Sequence, residues 1–95
     1  MNNNFYVYIL TNQNNNVLYT GVTNNLKVRI QLHKAGLGSE FTKRYKVAKL
    51  AYYEIHSSAF DAISLEKQLK SGSRQKKVAL INDMNGTWHD LFNEL

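Results

Sequence analysis

Two short apolar runs open the chain. Phe5-Tyr6-Val7-Tyr8-Ile9-Leu10 is aromatic and β-branched, and Val17-Leu18-Tyr19-Thr20-Gly21-Val22 repeats that character after a polar gap. Such compositions favour strands. The gap, Asn12-Gln13-Asn14-Asn15-Asn16, is rich in a residue that tolerates left-handed backbone, so the pair reads as an antiparallel hairpin. A period of two puts Tyr6 and Tyr8 on one face and Phe5, Val7 and Ile9 on the other. A four-residue loop, with Asn12 opposite Val17, places Tyr8 on the face of Tyr19, whereas a five-residue loop separates them. Tyr19 shares its face with Gly21, and glycine within a strand marks a bulge or a close approach.

The period then changes. Thr23-Asn24-Asn25 can cap a helix from about Leu26 to Ala35, closed by Gly36. A loop follows through Gly38, Ser39, Thr42 and the cations Lys43, Arg44 and Lys46, leading to a third strand, Leu50 to Ile55. Ser57-Ser58 caps a second helix through about Lys70, and Ser73 a third through about Met84. After an Asn85-Gly86 turn, Thr87-Trp88-His89-Asp90 fits a capping box opening a short last helix, with Trp88, Leu91, Phe92 and Leu95 at core-packing spacing. The order ββα-βααα predicts an α+β fold, with helices packed on a three-stranded antiparallel sheet in a single domain spanning residues 1–95.

Some polar residues fall where the period points inward. Leu26, Arg29, Ile30 and His33 stand at i, i+3, i+4 and i+7 on the first helix. An arginine there ordinarily snorkels to water, and a lone histidine is ordinarily a satisfied packing residue. On the second helix, Glu66 projects between the Ala62/Leu65/Leu69 and Ala59/Ile63 stripes. A pair with Lys70 at i+4 is worth only about 0.2–0.5 kcal/mol. An inward carboxylate calls for a stronger partner: a cation, a buried arginine or a metal.

Composition narrows the classes. With 95 residues, 43% apolar and 20% charged, the chain suits one ordinary globular domain. Cysteine is absent, which excludes disulfides, a disulfide-linked partner, thiolate metal sites and cysteine nucleophiles. No stretch approaches a membrane span of about 20 apolar residues, and Met1 precedes asparagines in place of a secretory signal. A cytoplasmic protein without a membrane partner is expected. Proline is also absent. Net charge is +5, unevenly spread: residues 1–26 carry no charged side chain. Residues 27–77 hold all twelve Lys and Arg against four acids, and residues 78–95 hold three acids alone. A basic middle fits either a polyanion-facing surface or a solvated face.

The motifs together are more specific than the charge. The chain resembles the GIY-YIG nuclease superfamily, in particular its small stand-alone bacterial members, from Phe5 to about Leu91. Tyr6-Val7-Tyr8 stands where the family has Gly-Ile-Tyr, and Tyr19-Thr20-Gly21 where it has Tyr-Ile-Gly. Arg29 lies eight residues after the motif glycine, His33 four later, and Glu66 at the family's metal-binding glutamate. Gly38-Ser39-Glu40-Phe41-Thr42 and Leu80-Ile81…Trp88…Asp90-Leu91 resemble the stand-alone subgroup. The chain departs at Tyr6, which replaces the first glycine, and at Asn85-Gly86, where Asn-Pro is frequent.

The resemblance implies Mg²⁺- or Mn²⁺-dependent hydrolysis of a nucleic-acid phosphodiester, DNA being the first expectation. Glu66 would hold the metal, Arg29 would grip the scissile phosphate, and Tyr8 would act as base or orient the water. Tyr8 in that role needs nearby positive charge to lower its pKa. Tyr19 would sit across the phosphate, and His33 would act as acid–base or hydrogen-bond partner. Lys43, Arg44, Lys46, Arg74, Lys76 and Lys77 are expected on backbone phosphates, with Asn85 as the family's site asparagine. Stand-alone members lack the attached DNA-binding domain of larger relatives. The alternative is a nucleic-acid-binding module of the same fold with little turnover. Oligomeric state is not indicated.

Overall fold

The computed structural model describes residues 3–95; Met1 and Asn2, where the expected domain and its asparagine-rich lead-in begin, lie outside the described residues. Strands β1 (Phe5–Thr11) and β2 (Leu18–Thr23) form the hairpin, and β3 (Lys49–His56) pairs with the other side of β1. The sheet order is therefore β2-β1-β3, antiparallel throughout, with β2 at one edge. Asn12 takes the role proposed for the asparagine turn: its side-chain oxygen accepts from the N–H groups of Asn16 and Val17, at 2.9 and 3.1 Å. Tyr8 stands opposite Gly21 and Leu10 opposite Tyr19, the register of the four-residue loop. Both tyrosines consequently point to one face. Against β3 the register slips between Ile9 and Leu10.

Helices cover both faces, because alternate residues of β1 are apolar in both directions. On one face Tyr8 and Leu10 pack with Leu26 and Ile30 of α1 (Leu26–Lys34), and with Val47, Leu50 and Leu91. On the other, Val7 packs with Ala62 and Leu69 of α3 (Ala59–Ser71), and Ile9 with Ile81 of α4 (Arg74–Met84). Asn25, Ser58 and Ser73 cap these helices through their side chains.

The expected fold class holds, with two differences in its elements. The segment read as a loop contains a six-residue helix, α2 (Glu40–Tyr45), capped by Ser39 and ended by Lys46 in the left-handed region. The expected last helix is a 3-10 turn, Leu91–Glu94, capped by Asp90. Thr87 cannot open a helix, because Trp88 has φ 58° and breaks the first turn before it forms. Asp90 instead locks the C-terminal segment down. One oxygen accepts from the N–H of Leu50 and Phe92, at 3.0 and 3.1 Å, and the other pairs with Lys34 at 2.5 Å.

Among the described residues, no helix is long and apolar enough to cross a membrane.

Candidate active site

The hairpin supplies two tyrosines, and Gly21 makes room for the ring of one of them. A β-carbon on Gly21 would lie 2.4 Å from both Cζ and the hydroxyl oxygen of Tyr8. The Tyr8 ring therefore lies directly over the backbone of β2, where only glycine fits. Gly38 does the same for the histidine: a β-carbon there would sit 2.0 Å from His33 Nδ1. Two glycines thus make room for one pair, Tyr8 at 1% exposure and His33 at 3%.

A chain of hydrogen bonds surrounds that pair. Thr42 Oγ1 lies 3.2 Å from the Ser39 carbonyl, 2.9 Å from the Ser39 hydroxyl and 3.0 Å from His33 Nδ1. His33 Nε2 lies 3.1 Å from the Tyr8 hydroxyl. With Nδ1 protonated toward Thr42, Nε2 accepts from Tyr8; with Nε2 protonated, both bonds run the other way. Burial, and after it the Arg29 charge, holds the His33 pKa below the usual histidine value, which favours the neutral ring.

Tyr8 itself does not behave as the resemblance requires of a ready base. Burial pushes its phenol well above the ordinary tyrosine range, and the charges of Tyr19 and Glu66 add to this while Arg29 opposes it. Arg29 is the positive charge at the site, but burial outweighs it. Tyr19, half-buried, sets its ring edge against His33 at 5.5 Å between centroids.

Arg29 and Glu66 arrive from opposite sides of the sheet, on α1 and α3, and both act electrostatically on Tyr8. Arg29 is half-buried and, among the described residues, forms no ion pair. Glu66 is 9% exposed, as its inward placement predicts, and it also makes the i+4 pair: Lys70 Nζ lies 2.7 Å from Oε2. That bond leads the effects that raise the Lys70 pKa. Tyr8, His33 and Tyr19 thus stand in direct contact through the His33 ring, and Arg29 and Glu66 act on the Tyr8 phenol through their charges.

The other expected contacts are dispersed. Lys77 and Lys70 line an open cleft with Leu18, Tyr19, Thr20 and Phe41, adjoining the site. Lys43 and Lys46 line a second hollow beside Thr42 and His33, and Arg44 is exposed on α2. Lys76 is exposed at the start of α4, where Arg74 donates to the Asn15 carbonyl at 3.3 Å. Asn85 is buried, and its amide donates to the carbonyls of Ala51 and His89 at 3.1 and 2.8 Å. Its side chain pins the C-terminal turn to β3, with the Thr87 hydroxyl 3.5 Å from its Oδ1. Conversely, Gly38, Ser39 and Thr42, which the sequence marks as a subgroup motif and gives no role in the site, support it. Their signal was the Ser39-x-x-Thr42 spacing of a capped turn, hidden inside an unpatterned stretch.

A divalent ion fits this donor set in one way. Among the described residues no three His, Asp or Glu side chains form a metal cage, and Glu66 is the one carboxylate beside Tyr8. A single carboxylate suits magnesium, which keeps most of its ligands as water and phosphate.

Residues 4–79 match the GIY-YIG catalytic domain family. A UPF0213 protein of Staphylococcus haemolyticus is 41% identical over 78 residues, covering 82% of this chain and 94% of that protein. A UPF0213 protein of Clostridium perfringens is 40% identical over 77 residues, covering 81% and 82%. The solution NMR structure of a UPF0213 protein from Bacillus halodurans superposes with a TM-score of 0.57 at 32% identity, covering 92% of each chain. The chain belongs to the GIY-YIG catalytic domain family, with bacterial UPF0213 proteins among its relatives.

Proposed function

We propose that the protein is a divalent-metal-dependent nuclease hydrolysing phosphodiester bonds, with DNA as its first candidate substrate. One observation carries this reading: a tyrosine hydroxyl bonded to a neutral histidine, near one buried carboxylate and an arginine that forms no ion pair among the described residues. An incoming phosphate would engage that guanidinium bidentately.

The proton path follows from the hydrogen bonds. A free phenolate at Tyr8 is disfavoured by burial, so Tyr8 works as a relay. It takes a proton from the attacking water as its own proton passes to His33 Nε2. In this path Thr42, 3.0 Å from Nδ1, would accept from Nδ1–H and so hold the imidazole in the tautomer that accepts at Nε2. The water oxygen forms the new bond to phosphorus, the bond to the leaving sugar oxygen breaks, and that oxygen takes a proton from solvent. Arg29 neutralises charge growing on the non-bridging oxygens. Glu66 would hold Mg²⁺ or Mn²⁺, which supplies charge neutralisation at the phosphate when bound. Tyr19 lines the approach.

The Glu66–Lys70 pair favours a second reading, binding with little turnover, because an ammonium already occupies the carboxylate. Glu66→Gln separates the two. Loss of metal-dependent cleavage with binding retained supports the nuclease; an unaltered protein that binds DNA and never cuts it supports the module.

A further inference from the structure

Two aromatic residues of α2 continue the site outward. Phe41 and Tyr45 stand at i and i+4 on one helix face, 42% and 48% exposed. The Phe41 ring lies 5.9 Å from Tyr19 with the planes 28° apart, and 4.9 Å from Tyr45. Since Tyr19 already touches His33, three rings run in a row from the proposed catalytic pair to solvent. Their orientation is enforced. Thr42, next to Phe41, is held by His33 and Ser39, so α2 cannot turn its aromatic face inward.

The surroundings indicate what such a row receives. Lys70 and Lys77 line the same cleft as Tyr19 and Phe41, and the Arg44 guanidinium lies 6.0 Å from the Tyr45 ring. Lys43 is exposed on the same short helix. Rings interleaved with cations match a strand whose bases are accessible and whose phosphates need neutralising. A duplex keeps its base faces stacked internally and cannot offer them.

We propose that Tyr19, Phe41 and Tyr45 form a stacking platform for unpaired bases next to the scissile phosphate. The preferred substrate is then single-stranded nucleic acid, or the unpaired segment of a branched one. This rests on the nucleic-acid reading above and adds the strandedness of the substrate.

Fluorescence anisotropy in EDTA, where no cleavage interferes, tests it with an oligonucleotide of about 12 nucleotides. The unaltered protein should bind the intact strand more tightly than its duplex and than an abasic strand carrying the same phosphates. Phe41→Leu and Tyr45→Leu keep apolar bulk and remove the ring. Each should weaken intact-strand binding by about fivefold to a hundredfold and leave duplex and abasic binding unchanged, while Tyr45→Trp retains it. Ring dependence with either the deoxy or the ribo strand supports the platform, and the tighter of the two identifies the sugar.

The platform is overturned if the intact strand binds no more tightly than the abasic one, a comparison that needs no variant to fold. Equal losses on strand and duplex in the leucine variants also overturn it. If no nucleic acid binds at all, the nucleic-acid reading falls with it, and sedimentation would show whether a second copy covers the face.

Discussion

At the residue scale, Tyr8 is defined by what surrounds it: a glycine beneath, a histidine hydrogen-bonded to its hydroxyl, and two opposite charges nearby. Gly21→Ala tests the first of these. The new methyl would overlap the ring, so the phenol must leave His33 or the hairpin must deform, costing about 1–3 kcal/mol. A lowered denaturant midpoint at unchanged slope is the expected result. Lys70→Met tests the competition at Glu66. Removing the ammonium that holds Oε2 should tighten Mg²⁺ binding, read by calorimetry or by a larger Mg²⁺-dependent rise in Tm. Weaker binding in this variant would mean that Lys70 supports the metal. The periodicity was enough to bring Arg29, His33 and Glu66 inward, and loop length to bring Tyr8 and Tyr19 to one face. The bonds of Asn85 were not legible, because a buried amide serving two carbonyls has the same letter as one serving a ligand.

At the element scale, the readable pieces were those with a repeating apolar face. The three strands, α1 and α3 all have one, and serine or asparagine marks the starts of α1, α3 and α4. The α2 helix was illegible for a physical reason. It is six residues long, buries only Thr42 and turns its aromatics outward, so no hydrophobic period betrays it. The last element misled in the other direction, since Thr87-x-x-Asp90 satisfies a capping pattern that Trp88's backbone contradicts. Asp90 is the actual cap, and Asp90→Ala should cost about 0.5–2 kcal/mol. Burial alone would raise the Asp90 pKa, but bonds from Lys34 and from the Leu50 and Phe92 N–H groups outweigh it and hold the carboxyl below its usual range. A depressed carboxylate stabilises the fold above the unfolded pKa of about 3.9, and that stability is lost as pH falls through the folded value. Asp90→Asn should therefore flatten the acid limb of the stability profile.

At the scale of the whole molecule, the charge distribution matches the layout. The neutral first 26 residues are mostly the hairpin whose central strand is packed on both faces, where unpaired charge would be costly. The basic middle carries α1, α2, β3, α3 and the start of α4, with Lys70 and Lys77 bordering the cleft. If Lys43, Arg44, Lys46, Arg74, Lys76 and Lys77 all meet phosphates, affinity should fall on the order of a thousandfold between about 50 and 200 mM salt. A nearly flat salt dependence would remove these contacts from the account.

The central claim is that Tyr8, His33, Arg29 and Glu66 form one phosphodiester-cleaving site. The most direct test is single-turnover cleavage of a labelled DNA strand with Mg²⁺, comparing the unaltered protein with Tyr8→Phe and Glu66→Gln and measuring binding in parallel. Metal-dependent cleavage should fall about a hundredfold or more in each variant, with affinity held to within about twofold. Cleavage that persists unchanged in both variants, or that never occurs with the unaltered protein, would contradict it.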